Sequence, residues 1–237
     1  MRNLFGIRRH LLLTLFLILG MASGFAEKNP DEDHAFVELR DGSMIEGYVT
    51  TSLINYFKPN LTKFGLSDEL GGKDRKYTSE EVKSIIFPLN DNDSTAVIYH
   101  SLKATKQLPN LLNKKPKPYK EPIFLRVVFE GKHVKGYARP LFDSTHGGTM
   151  STFNYTWRYY YKTDDNEIAV AYWDDIRGIF PALKKFMKLL FHEFPELQQM
   201  IDEGTVSPHD FRENCLTILP IIDEILDKRS LAKSCNP

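Results

Sequence analysis

The chain has 237 residues, 42% of them apolar, with 31 basic and 31 acidic side chains. That length and composition are ample for a globular core in one large domain or two small ones. The balanced charge argues against general electrostatic binding to nucleic acid, and two cysteines in all exclude a disulfide-dense scaffold.

The first 26 residues have the three-part build of a secretory signal peptide. Arg2, Arg8 and Arg9 are the positive region, 11–19 is apolar except for Thr14, and Gly24 and Ala26 form a small-x-small cleavage site. The apolar run is shorter than the roughly 20 residues of a membrane span; an uncleaved anchor is the alternative. No Cys follows the run, so no lipid anchor is expected. All 31 acids lie beyond Ala26 and three of the 31 basic residues precede it, so the mature chain would carry a net charge of −3.

An N-terminal β unit is expected over 27–102. Residues 35–51 read as a β-hairpin turned by Asp41-Gly42, 61–76 as a Gly-rich surface loop, 79–81 as a helical turn, and 82–87 and 95–99 as strands. Residues 103–122, with Pro109, Pro116, Pro118 and Pro122 among lysines, read as a linker; a functional basic patch is the alternative. A second β unit with C-terminal helices follows over 123–237. Its strands are 123–129 and 134–138, then a loop over 143–151. Phe153, Tyr155, Trp157, Tyr159 and Tyr161 alternate with polar or differently placed residues and share one strand face. Residues 168–173 return beside them.

The period then changes to that of a helix. Leu183, Phe186, Met187, Leu190, Phe191 and Phe194 lie on one face, opposite Lys184, Lys185 and Lys188. A short helix after Pro195 closes at Gly204. Ser207-Pro208 starts a last helix that Pro220 should kink, because its ring clashes with the Leu216 carbonyl. Strands followed by helices make an α+β protein, here two successive antiparallel β units, each a small barrel or meander, with a helical group at the end.

Two hairpins share G-x-x-[IV]-[EK]-G-Y, at Gly42 to Tyr48 and at Gly131 to Tyr137. The first Gly would serve the turn and the second a bulge or a close backbone approach. Duplication of a β unit and reuse of good hairpin chemistry both account for the echo.

In this order of motifs the chain resembles a loose group of uncharacterised secreted proteins from Bacteroidota-type bacteria. The resemblance rests on the D-G hairpin, the Tyr77 to Ile85 segment, the Gly131-Lys132 hairpin, the aromatic strand at Trp157 to Tyr161 and the tail from Phe180 to Leu197. The tail departs from the group's pattern at His192-Glu193-Phe194-Pro195. The resemblance implies export and a β-rich body with a helical tail, and it supplies no catalytic residue.

The sequence offers little recognisable chemistry. His192-Glu193 lacks the second i+4 His of a zincin helix, position 196 being Glu. His146-Gly147-Gly148 has no G-x-S-x-G nucleophile to serve. Asp164-Asp165 and Asp174-Asp175 read as turn and cap residues before they read as a carboxylate pair. Three sequons, at Asn60, Asn92 and Asn154, are unassigned. Cys215 and Cys235 either form one bridge pinning the tail to the last helix or remain two thiols. Trp157, Tyr159, Tyr161 and Trp173, with Arg158 or Asp174 fixing hydroxyls, form either a glycan-stacking platform or, for the odd-numbered ring set of the strand, a core under the helix at 183–194.

These features point to an exported, non-catalytic periplasmic or surface module that binds an envelope protein or glycan. No cofactor, metal or nucleic acid is expected, nor a membrane span once the signal is removed. A carbohydrate-binding protein using exposed aromatics and a hydrolase with an unrecognised site are the alternatives.

Overall fold

In the computed structural model residues 34–50, 62–69, 72–88, 96–109, 116–147, 150–175 and 182–234 are described, with backbone alone over 142–147 and 150–155. The predicted signal peptide and 53–57, a segment whose sequence could continue a strand, lie outside them. Among the described residues ten strands are formed: β1 (His34–Leu39), β2 (Met44–Val49), β3 (Lys63–Ser67), β4 (Arg75–Thr78), β5 (Val82–Phe87), β6 (Val97–Leu102), β7 (Ile123–Glu130), β8 (Val134–Gly147), β9 (Met150–Thr163) and β10 (Val170–Asp174). They make one antiparallel sheet in the order β10-β9-β8-β7-β6-β5-β1-β2-β3-β4. Among the described residues four α-helices follow, α1 (Leu183–Leu190), α2 (Pro195–Glu203), α3 (Pro208–Glu213) and α4 (Ile218–Ser234), with a 3-10 turn at Cys215–Thr217 leading into the last. The α+β class is as expected. The sheet is open rather than a closed barrel, and the ladder from Tyr99↔Arg126 to Leu102↔Ile123 carries it across the expected domain boundary.

Local chemistry accounts for the turns. Gly42 holds φ +89° between β1 and β2, a conformation that favours glycine. At the end of β4, Glu81 accepts from both the backbone N–H and the hydroxyl of Thr78 (2.9 and 2.7 Å). The predicted helical turn is therefore a single turn that feeds β4 into β5, and β5 returns to pair with β1. The segment expected to be a loop contains β3, whose Phe64 and Leu66 are buried. Gly65 hides that strand in the sequence; a Cβ there would meet the side chains of Thr50 and Asp74.

The two echoed hairpins use their second glycine alike. A Cβ at Gly47 would lie 2.6 Å from the Ser67 carbonyl oxygen; one at Gly136 would strike the Leu219 side chain and lie 2.9 Å from Phe129 Cβ. The first glycines differ, because Gly131 has no positive φ. Gly136→Ala is expected to cost about 1–3 kcal/mol by overpacking, since Phe129 Cβ is rooted in the backbone. A thermal melt unchanged from wild type would refute this.

The sheet is buried on both faces where β8, β9 and β10 meet. On one face Tyr159, Tyr161, Tyr172 and Trp173 pack under α1, α3 and α4. Ring centroids stand 6.0 Å apart for Tyr161–Phe191, 5.9 Å for Tyr172–Phe191 and 5.1 Å for Trp173–Phe211. Each such ring contributes about 1.5–3 kcal/mol of burial. Tyr172 and Trp173 are neighbours yet reach the same core, because a bulge between Ala171 and Trp173 inserts Tyr172 as the extra residue. The other face gathers Ile123, Leu125, Tyr137, Tyr160 and Ala171 with Ala104 and Ala169. A third cluster, around Val37, Phe64, Tyr77 and Ile85, underlies β1–β5.

In the helical tail, Gly204 closes α2 at φ +81° and the Ser207 hydroxyl caps α3, as the sequence predicts. The single kinked last helix does not form. The chain breaks at Asn214, whose side chain accepts from the Leu216 N–H (3.1 Å), and restarts as α4. Pro220 thus sits in a first turn, where its missing N–H has no helical partner to lose. No helix of the described residues is long and apolar enough to cross a membrane.

Candidate functional site

The sheet face away from the helices carries the polar chemistry. By register Arg139 of β8 lies opposite Arg158 of β9, and Tyr137 opposite Tyr160. Adjacent guanidiniums repel unless each is compensated. Arg158 holds Asp174 in a bidentate pair, Nε to Oδ1 at 2.6 Å and Nη2 to Oδ2 at 2.7 Å, and its Nη1 donates to the Lys106 carbonyl. Burial opposes charge on Arg158, but the bond and charge of Asp174 outweigh it and raise the guanidinium pKa. Arg139, 8% exposed, donates to the Tyr160 hydroxyl (2.7 Å) and the Tyr119 hydroxyl (2.8 Å). Burial pushes the Tyr160 phenol up to about 12, so it remains a neutral acceptor.

What these arginines hold is the Lys- and Pro-rich segment. Instead of a solvated linker, its described parts form a strap docked on the sheet. Thr105 N–H donates to the Ala169 carbonyl (2.9 Å), Ala169 N–H to that of Lys103 (2.8 Å), and Tyr119 N–H to that of Ala104 (2.8 Å). The Thr105 hydroxyl accepts from Ala171 N–H (2.8 Å), which covers the start of the β10 edge. At the far end, Ser79 Oγ donates to the Pro122 carbonyl (2.7 Å). Ala104 and Thr105 are buried, whereas Lys103, Lys106, Lys117 and Lys120 are exposed. Beside the strap lies a shallow, open depression of about 220 Å³ lined by Thr62, Lys106, Tyr119, Lys120, Glu121 and Ile123.

The predicted aromatic platform is not on the surface. Trp173 is 4% and Tyr159 8% exposed, and Trp157 is partly buried against the same core. Arg158 and Asp174 fix each other rather than a ligand. The core reading therefore holds for Tyr159 and Tyr161; the side chains of Phe153 and Tyr155 lie outside the described residues. The expected loop over 143–151 is instead a long ribbon, paired as far as Gly147↔Met150. Sequence reasoning missed Arg139, Tyr119 and Lys106, whose convergence depends on how the strap docks.

The other polar cluster is a tertiary clamp. His133 lies between Asp164 (3.2 Å) and Asp227 (3.2 Å) at the turn where α4 meets β7 and β8. Among the described residues no three or more His, Cys, Asp or Glu side chains are placed to hold a metal ion. His192 turns back to the Leu189 carbonyl (3.1 Å). Cys215 is a free, buried thiol whose pKa burial pushes up to about 12, which makes it inert. Cys235 lies outside the described residues.

The fold and site together define an α+β protein with an open antiparallel sheet, a helical cover on one face and a basic strap on the other. Comparison with family models, curated proteins and solved structures finds no match to this chain.

Proposed function

We propose that the protein is an exported, non-catalytic binding module of the cell envelope. The observation that carries this reading is the docked strap. Its described parts are hydrogen-bonded to the sheet while Lys103, Lys106, Lys117 and Lys120 stay exposed, which is a geometry for holding a partner. The three-part N-terminus supports export, and the kinship with secreted Bacteroidota-type proteins, drawn from motif order, belongs to the same proposal. So does a finer reading of the sheet as two β units joined at β6 and β7, which the echoed hairpins and largely separate cores support.

The test is a crosslinking pull-down of the tagged full chain from its native cell envelope, with proteins and glycans both analysed. The expected result is a processed N-terminus beginning at Glu27 and one dominant envelope component. Recovery from the cytosol with Met1 retained, or nothing above background, would sink the reading.

A further inference from the structure

We infer that the joint between the two halves of the sheet is an acid-sensitive latch, closed by the His100–Tyr137 contact and opened when the imidazole takes up a proton. The inference stands apart from the exported binding-module reading, since it concerns the protein's own closure and not its ligand.

Three observations carry it. First, His100 sits at the joint. Among the described residues the strands β1–β6 join β7–β10 through one ladder, between β6 and β7, with four register pairs from Tyr99↔Arg126 to Leu102↔Ile123. His100 lies opposite Leu125 of β7, yet its ring reaches past that strand to Tyr137 of β8. Nδ1 stands 3.3 Å from the Tyr137 hydroxyl, and the ring centroids are 5.7 Å apart. The contact is a side-chain tie that spans the ladder.

Second, the tie suits a neutral imidazole. Tyr137 is 2% exposed, and burial pushes its phenol pKa up, so the hydroxyl keeps its proton. That hydroxyl makes no other hydrogen bond among the described residues, so it donates to Nδ1 and leaves the imidazole proton on Nε2. A second proton must then enter at Nδ1. The Tyr137 O–H would face an N–H and lose its acceptor inside the protein, which is the costly case for a buried donor.

Third, the charges around His100 are already spent on one another. Those that act on it are Glu38 of β1, Lys83 of β5, Glu130 of β7 and Lys135 of β8. Glu38 is held by Lys83 (2.7 Å) and by the Ser84 hydroxyl (2.9 Å), and Glu130 by Lys135. Burial, and after it the Lys135 charge, hold the His100 pKa below the ordinary 6.5. A base kept neutral by the fold contributes stability above its unfolded pKa and loses it as pH falls toward the folded one.

The experiment follows the His100 ring by NMR, and amide exchange ladder by ladder, from about pH 7.5 to about pH 5, above the ordinary carboxylate range. His100 should titrate below 6.5. Protection of the β6–β7 ladder should fall at least ~5-fold, within the roughly tenfold per pH unit that one proton allows, while the β8–β9 ladder stays protected. In the His100→Gln variant, neutral throughout, the β6–β7 ladder should keep its protection. His34 and His133, which face carboxylates, are common to both proteins and cancel in the comparison. Titration of His100 at or above 6.5 overturns the inference, as does an equal loss of protection in the variant or an equal loss in every ladder. The titration needs the wild-type protein alone, so a variant that fails to fold leaves the test standing.

Discussion

Replacing Arg158 by Met should lower the unfolding free energy by about 3–5 kcal/mol, and adding Asp174→Leu should restore most of it. The two side chains are 13% and 10% exposed and share a bidentate geometry. Their mutual attraction offsets a desolvation cost that both have already incurred. Removing one partner leaves the other charge buried and uncompensated, which is the costly case. Removing both trades an ion pair for apolar contact, which is close to neutral. Arg158 also carries the strap through the Lys106 carbonyl, so the single variant should speed amide exchange at Thr105, Lys106 and Tyr119 ahead of global unfolding. Urea unfolding of the two single variants and the double variant closes the cycle. A loss below about 1 kcal/mol for Arg158→Met would reduce the pair to a surface salt bridge.

That pair shows where the sequence stops being legible. The hairpin that brings β9 and β10 together is plain from alternation and the turn at 163–167. Its register is not. Without a bulge, Val170↔Tyr161 and Ala171↔Tyr160 would continue to set Trp173 opposite Arg158. The extra Tyr172 moves Trp173 to Tyr159 and Asp174 to Arg158. Nothing in Val170-Ala171-Tyr172-Trp173 announces that shift, yet it creates the ion pair and sends two adjacent aromatics into one core.

The strap is illegible for a different reason. Prolines and lysines favour solvated, extended chain, and that composition conceals Ala104 and Thr105, small enough to lie against Ala169 and Ala171. The helical stripe from Leu183 to Phe194, the Gly204 stop and the Ser207 cap were readable because each is a local signal. The candidate site is a tertiary product of register and docking, so single-segment patterns could not assemble it.

The second large effect is expected at Asp223, on the opposite face. One carboxylate there collects three consecutive backbone donors from the turn between β7 and β8. Oδ2 accepts from Lys132 N–H (3.0 Å), and Oδ1 from His133 N–H (2.6 Å) and Val134 N–H (3.0 Å). Gly131 makes room, since a Cβ there would lie 2.6 Å from the carboxylate carbon. This explains a glycine that needs no positive φ. Asp223→Ala strands three donors and should cost about 3 kcal/mol, hydrogen bonds to a charged group being the stronger kind. Asp223→Asn should cost less, because its remaining oxygen still serves His133 and Val134 while its NH₂ faces the Lys132 N–H.

Asp227 joins the same turn to α4, and its bonds from Lys132 and then His133 hold its pKa below the ordinary 3.8. A depressed carboxylate contributes stability above its unfolded value and loses it as pH falls through the folded one. The hold of Asp227 on the turn should therefore weaken only in acid below that ordinary value. Urea midpoints and amide exchange at His133 and Val134 provide the measurement, with the exposed neighbour Glu224→Ala as control. If Asp223→Ala stays within about 0.5 kcal/mol of wild type and those amides remain protected, the helix is held by Leu219 against Gly136 and its apolar neighbours, and the carboxylate only decorates the turn.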